Sequence, residues 1–279
     1  MVKKTKAIVM FSGGLDSRLV VRIMQEQGLE IIAVYFKLPF SKDIEKEIKE
    51  FTKKNRVKLK IFDCTRGKLF QEYLDVIKNP KYGRGVGLNP CIDCRIFMLR
   101  KAKKLADKKR IEYIVTGEVI GQRPMSQTKK TTQIIEEKAG LKDGVIRPLI
   151  EFYGIQGRKR DKQIALAKRF GISYPSPAGG CLLCERLYCD KLKKILNEKK
   201  LSYKDIQFLK IGRHFESSQI ILGKNKTENK LLEKEKGIKI IPKQAGPTAL
   251  IKSRKFKDKA KKLIQEYSKH KIKDFEIKK

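Results

Sequence analysis

Tryptophan is missing from the 279 residues, and histidine occurs only at positions 214 and 270. The other aromatics are too scattered to form a stacking platform for bases. Neither His214 nor His270 has neighbours that would make it a catalytic base or a metal ligand. No apolar run approaches the roughly 18 residues that a membrane-spanning helix needs. Met1-Val2-Lys3-Lys4 leads straight into a strand pattern instead of the apolar core of a signal sequence. The expectation is a cytoplasmic protein with no membrane partner. The lysine-bearing phosphate loop G-x-x-x-x-G-K-[ST] is absent as well. Acidic residues are few, 31 against 67 lysines and arginines, for a formal charge of +36 spread along the chain. A polyanionic partner is one reading of that excess, and solvated helix faces in a lysine-rich chain are the other.

What is present is enough for a folded protein. Forty per cent hydrophobic residues suit one domain of ordinary size plus an appendage. Six cysteines in such a chain argue against a disulfide scaffold and for metal or redox chemistry.

The organising stretch is Ser12-Gly13-Gly14-Leu15-Asp16-Ser17, between the apolar run Ala7 to Phe11 and the helical pattern Leu19, Val20, Ile23, Met24. At a strand-turn-helix junction, glycines let the backbone approach a ligand, and the free N–H groups of the helix start favour an anion. An ordinary turn capped by Asp16 or Ser17 is the simpler alternative. Two glycines, two hydroxyls and a carboxylate within six residues favour the ligand. The segment resembles the pyrophosphate loop (PP-loop) of ATP pyrophosphatases. That resemblance implies that Ser12, Gly13, Gly14 and Ser17 hold ATP, with Asp16 orienting Mg2+ or the pyrophosphate.

Ile31 to Phe36 reads as a buried strand and Leu59 to Asp63 as a third strand, and Ile44, Ile48 and Phe51 mark a helix face between them. The alternation predicts an α/β fold: a Rossmann-like parallel sheet of the adenine nucleotide alpha-hydrolase type, with ligands beyond the carboxyl ends of the strands. Cys64 reads more simply as a small buried hydrophobe than as a site residue.

Asn79 to Pro90 is rich in helix breakers and predicts a loop, ending at Cys91-Ile92-Asp93-Cys94 where a helix begins. A second pair, Cys181 and Cys184, follows Ala178-Gly179-Gly180, with Cys189 further on. Four thiols at these spacings would make a structural zinc site, but 87 positions separate Cys94 from Cys181, far more than in compact zinc modules.

Asn89-Pro90-Cys91-Ile92-Asp93-Cys94 resembles the N-P-x-x-x-C segment of tRNA 2-thiouridylases, and Ala178-Gly179-Gly180-Cys181 resembles their A-G-x-C segment. On that resemblance Cys94 and Cys181 take the two catalytic positions. Thr116-Gly117-Glu118 resembles their T-G-H turn, which brings Gly117 to the nucleotide, and Arg147-Pro148-Leu149 resembles their P-L step. The similarity runs from residue 6 to about 185. It departs where Cys91 replaces an aspartate and Glu118 a histidine. The extra cysteine is similar to iron-sulfur-dependent tRNA thiolases, which implies a [4Fe-4S] cluster on Cys91, Cys94 and Cys181 with one iron open to sulfide. Cys184 is then a spare thiol, sulfur carrier or conditional ligand, and Cys189 a core residue.

The activity so implied is ATP-dependent tRNA sulfur transfer. A uridine carbonyl oxygen is adenylated, then replaced by sulfur from sulfide or a persulfide carrier protein. A PP-loop ligase or amidating enzyme acting on a small molecule, and a zinc-stabilised RNA-binding protein, are the alternatives. Arg123, Lys129, Lys130 and the basic run Arg158-Lys159-Arg160 are candidate phosphate contacts.

The boundary is expected at 198/199, with a small basic α+β domain over 199–279. Its short strands are placed at Ile206–Phe208, Gln219–Leu222, Ile238–Ile241 and Thr248–Ile251, closed by a helix from Lys257 to Lys269. Ile211-Gly212-Arg213-His214-Phe215 and Leu222 to Asn229 resemble the RNA-binding domain of NFACT-family proteins, which implies a grip on tRNA.

Overall fold

A computed structural model describes residues 5–83, 87–123, 126–142, 144–176, 180–198 and 201–279. It divides the chain into two units, Met1–Cys184 and Glu185–Lys279.

In the first unit, apolar runs such as Lys6-Ala7-Ile8-Val9-Met10 are buried on both faces, which suits a parallel sheet covered by helices. The strands are β1 (Lys6–Met10), β2 (Glu30–Lys37), β3 (Lys58–Asp63), β4 (Tyr113–Thr116) and β5 (Val145–Ile146), in spatial order β3-β2-β1-β4-β5. All pairings are parallel. The helices are α1 (Leu15–Glu26), α2 (Glu45–Lys54), α3 (Gly67–Lys78), α4 (Cys91–Lys109), α5 (Lys129–Ala139), α6 (Pro148–Glu151) and α7 (Asp161–Arg169). Leu19, Val20 and Ile23 of α1 pack with Ala7 and Val9 of β1, Val115 of β4 and Ala167 of α7 in one core.

This order matches the expected Rossmann-like fold and places the site. Strand order reverses between β1 and β4, whose ends are in register at Met10 and Thr116. The loop after β1 and the turn after β4 therefore leave the sheet side by side at its carboxyl edge, where this class of fold binds ligands. Ser12–Ser17 follows β1 and Thr116–Glu118 leads out of β4, and Gly117 abuts the backbone of Asp16 and Ser17.

The second unit contains α8 (Arg186–Ile195), α9 (Tyr203–Phe208), β6 (Arg213–Phe215), β7 (Ile220–Leu222), α10 (Lys226–Glu233), β8 (Ile238–Pro242), β9 (Ala249–Ile251), α11 (Lys257–Glu266) and β10 (Phe275–Lys278). Its sheet is antiparallel, ordered β10-β8-β9-β7-β6. Ala260, Leu263 and Ile264 of α11 cluster with Ile220, Leu222, Ile240, Ala249 and Ile251. Ile221 and Leu250, which point to the opposite face, meet Leu232, Phe208 and Ile211.

Two expectations shift here. Ile206–Phe208 is helix, not strand: Ser202 accepts from the Asp205 amide while the Asp205 carboxylate accepts from Ser202, a capping box that starts α9. The division falls at 184/185 instead of 198/199, because α8 is fastened to α9 and to the turn beyond it. Tyr188 donates its hydroxyl to the Ile206 carbonyl at 3.0 Å, and Lys191 donates to the carbonyls of Leu209 and Gly212, each at 3.0 Å. Among the described residues, no helix is long and apolar enough to cross a membrane.

Candidate active site

The nucleotide loop is held in a shape that few side chains tolerate. Gly13 has φ +76°, and a Cβ there would lie 2.7 Å from Ile48 Cδ1, so only glycine fits. Gly14 stands at the N-cap of α1 without a capping side chain, leaving the first N–H groups of the helix available. Ser17 donates to the Gly14 carbonyl at 3.0 Å and receives a hydrogen bond from the exposed Ser12 hydroxyl at 3.3 Å. Gly117 packs against this loop: a Cβ there would stand 2.9 Å from the Asp16 carbonyl carbon and 3.0 Å from the Ser17 nitrogen.

Arg18, which sequence reasoning passed over, locks this loop. Its Nε donates to the Gly13 carbonyl at 2.7 Å, one terminal nitrogen donates to the Ser173 carbonyl at 2.7 Å, and the guanidinium lies 4.7 Å from the Phe51 ring centroid. An arginine on the buried face of an apolar helix was the available signal.

Among the described residues, Asp16 Oδ1 is buried without a hydrogen-bond partner. Burial raises the carboxyl above its ordinary range, against the opposing pull of Arg160 and Arg123. Arg160, from the basic run before α7, also donates to the Gln122 amide oxygen through Nε at 2.9 Å and a terminal nitrogen at 3.1 Å. An orphaned carboxylate oxygen facing two guanidiniums fits a site for Mg2+ and phosphate oxygens together. Lys129 and Lys130 open α5 as exposed side chains.

The two cysteine segments meet although they lie far apart in sequence. The amides of Leu88 and Asn89 both donate to the Leu183 carbonyl at 3.0 Å, and the Leu182 amide donates to the Phe40 carbonyl at 3.0 Å. Asn89, at φ +33°, turns the chain into α4, whose first residue is Cys91. Cys91 interacts electrostatically with Cys184, and Cys181 with Cys94, Cys184 and Cys91. Beneath them the fully buried Tyr73 hydroxyl lies 3.3 Å from Cys94 Sγ. Burial pushes Cys94 up to about 11 and Cys181 to about 12, and raises Cys91 as well. Cys64 is fully buried as expected, yet it sits close enough to Cys94 to feel its charge. Cys189 is fully buried on α8 in the second unit.

Two links join the thiols to the nucleotide loop. Arg123 acts on both Asp16 and Cys91. Arg95, the residue after Cys94, pairs with Glu118, the residue after Gly117. Glu118 also meets Arg147 at 3.3 Å, and Arg147 pairs in turn with Glu136. Gly180, ahead of Cys181, is described, while Ala178 and Gly179 of the second motif lie outside the described residues.

Among the described residues, no three His, Cys, Asp or Glu side chains are disposed to hold one metal ion. An iron-sulfur cluster does not need its ligands on one atom, because each thiolate binds its own iron. A buried, thiol-only donor set near two guanidiniums fits an anionic cluster in chemistry.

The family model described as "Thiamine biosynthesis protein (ThiI)" matches residues 2–184, ending where the first unit ends. A protein named "Probable tRNA sulfurtransferase" from Ureaplasma parvum serovar 3 is 32% identical over 174 residues, covering 59% of this chain and 40% of that one. Another protein of that name, from Thermococcus kodakarensis, is 24% identical over 172 residues, covering 60% and 41%. "tRNA-specific 2-thiouridylase MnmA" from Nitratiruptor sp. is 24% identical over 204 residues, covering 68% and 58%. The chain thus spans about two fifths of the length of the sulfurtransferases it matches. With some two thirds of its residues matched by that family model, the chain belongs to the ThiI family.

Proposed function

We propose that this protein is a tRNA sulfurtransferase that uses ATP to replace a uridine carbonyl oxygen with sulfur. What supports the proposal is the meeting of the Cys91–Cys94 and Cys181–Cys184 segments through the Leu183 carbonyl, together with the influence of Arg123 on both Asp16 and Cys91.

The first step is adenylation. Ser12, Gly13, Gly14 and Ser17 receive the pyrophosphate end of ATP at the start of α1, and Gly117 lets the turn after β4 approach that loop. Asp16 is the residue that would hold Mg2+, and Arg123 and Arg160 take up charge as pyrophosphate leaves. The uridine oxygen attacks the α-phosphorus, which turns a poor leaving group into AMP. In the second step sulfur attacks the activated carbon and AMP departs with the former carbonyl oxygen.

Cys94 and Cys181 present sulfur to that carbon, and Cys91, Cys94 and Cys181 are the residues that would hold a [4Fe-4S] cluster. When bound, such a cluster supplies an open Lewis-acidic iron for sulfide. Tyr73 fixes the Cys94 side chain from below. The donor is sulfide or a persulfide carrier protein.

The target base leaves its stack to reach this site, and basic residues grip the tRNA backbone. In the second unit, Arg254, Lys255, Lys257 and Lys262, exposed on and before α11, are the residues proposed for that grip, while Lys252 and Lys259 are paired with Asp205 and Glu216. A tRNA-modifying role places the protein in the cytoplasm.

The test is anaerobic incubation with ATP, Mg2+, sulfide and bulk tRNA, followed by mass spectrometry of nucleosides. A thionucleoside formed by the native protein and lost in Cys94→Ala is the expected result. Pyrophosphate release that needs a metabolite and no tRNA would instead identify a PP-loop ligase.

A further inference from the structure

We infer that Arg95 is the phosphate receptor of the sulfur-transfer step, holding the AMP phosphate as it leaves, with Glu118 as the positioning residue behind it. This inference rests on the sulfur-transfer reading above and assigns the group that stabilises its leaving charge.

Position is the first argument. Arg95 follows Cys94 on α4, and its charge reaches both Cys91 and Cys94. Through Glu118 it is tied to the turn whose Gly117 abuts the backbone of Asp16 and Ser17. The guanidinium is therefore tied to the turn that abuts the loop Ser12–Ser17 while its charge acts on the thiols, the two groups between which the adenylated base must react.

Unused donor capacity is the second. Two arginines share the Glu118 carboxylate, but they are not equivalent. Arg147 is only 13% exposed and is held by a second carboxylate, Glu136. Among the described residues Arg95 is paired only with Glu118, and its side chain remains 22% exposed while Glu118 is 4% exposed; the Nε atoms of both arginines are buried without a partner there. A guanidinium carries five N–H donors in a planar fork, so one carboxylate behind it leaves donors for an anion in front. A buried carboxylate also fixes the direction of the fork in advance, which is what stabilisation of developing charge requires.

The chemistry supplies the anion. With hydrosulfide as donor, the sulfur electron pair forms the C–S bond and the C–O bond to the adenylyl group breaks. The pair from that bond passes to the phosphate oxygen of AMP, and the sulfur proton moves to the ring nitrogen, restoring the N–H that the uracil lost on adenylation. Negative charge grows on the AMP phosphate in this step and nowhere else. Lysine would bring the charge without the two-pronged geometry.

The experiment compares AMP and adenosine binding by calorimetry for the full-length protein and its Arg95→Gln, Arg95→Lys and Glu118→Gln variants, without tRNA or sulfide. Arg95→Gln is expected to weaken AMP about 10- to 100-fold, the range for lost charge-assisted hydrogen bonds, and to leave adenosine unchanged. Arg95→Lys loses part of that factor, and Glu118→Gln lowers AMP affinity with adenosine again unaffected. AMP affinity equal to the native protein in a folded Arg95→Gln or Arg95→Lys variant overturns the inference. Because no sulfur chemistry enters this measurement, loss of AMP binding alongside absent thiolation would sink the functional reading and spare the phosphate site.

Discussion

Gly117→Ala is the sharpest probe of how the site is built. The added methyl would stand 2.9 Å from the Asp16 carbonyl carbon, 3.0 Å from its oxygen and 3.0 Å from the Ser17 nitrogen. All three are backbone atoms at the start of α1, so no flexible side chain can swing aside. The turn after β4 or the nucleotide loop must shift by several tenths of an ångström. Overpacking of this kind costs about 1–3 kcal/mol. In a unit of this size each kcal/mol lowers the melting temperature by about 2–4 °C. The ligand should feel the shift more than the fold does, because the displaced atoms belong to the loop assigned to ATP. Gly14→Ala is the control. Gly14 has φ −78°, and a Cβ there meets only Ser12 Oγ at 3.7 Å, an ordinary contact. Thermal unfolding and ATP affinity, measured together, should show Gly117→Ala impaired in both and Gly14→Ala with native stability. An unshifted melting temperature and full ATP affinity in Gly117→Ala would refute the proposed close approach.

Other outcomes rest on the same geometry. Arg18→Ala removes a buried cation that holds the Gly13 carbonyl, so urea denaturation should show a loss of about 3 kcal/mol, typical of breaking buried charge-assisted hydrogen bonds. Tyr73→Phe removes the hydrogen bond that holds the Cys94 thiol down. In metal-free protein the Cys94 alkylation profile should move to higher pH, and an unmoved profile would argue against that bond. Cys91→Ala and Cys94→Ala should lose iron as well as activity after anaerobic purification, while Cys189→Ala, buried in the second unit, keeps both. Burial lowers His214 from 6.5 to about 4, so the unfolded chain takes up this proton first as the pH falls. Its contribution to the second unit is complete above pH 6.5 and declines by about 1.4 kcal/mol per unit towards pH 4. An NMR titration of the two histidines tests this, and His214 titrating near 6.5 would contradict it.

The sequence made the framework legible where local pattern and final environment agree. β1, β2 and β4 are short apolar runs because strands of a covered parallel sheet are buried on both faces, whereas the edge strand β3 alternates Leu59 and Ile61 with the exposed Lys58 and Lys60. The loop Ser12–Ser17 and the two cysteine pairs stood out because chemistry concentrates unusual residues at fixed spacing. Shorter pieces escaped notice. β5 has two residues and β6 three, too few to show an alternation, and their strand character comes from neighbours. Ile206–Phe208 has a strand-like composition, yet the Ser202–Asp205 capping box decided for helix. Arg18, Tyr73 and Arg95 were invisible as site residues for a different reason. Each matters through a partner at least 20 positions away or through a backbone carbonyl, and no spacing rule encodes such contacts. The boundary likewise depends on tertiary bonds from Tyr188 and Lys191.

The central claim is that the base oxygen leaves on AMP as sulfur takes its place, and oxygen labelling tests it directly. tRNA carrying 18O in its uracil carbonyls, incubated anaerobically with the protein, ATP, Mg2+ and sulfide, should yield AMP bearing one 18O for each thionucleoside formed. AMP without the label, at any level of thionucleoside, would contradict the account.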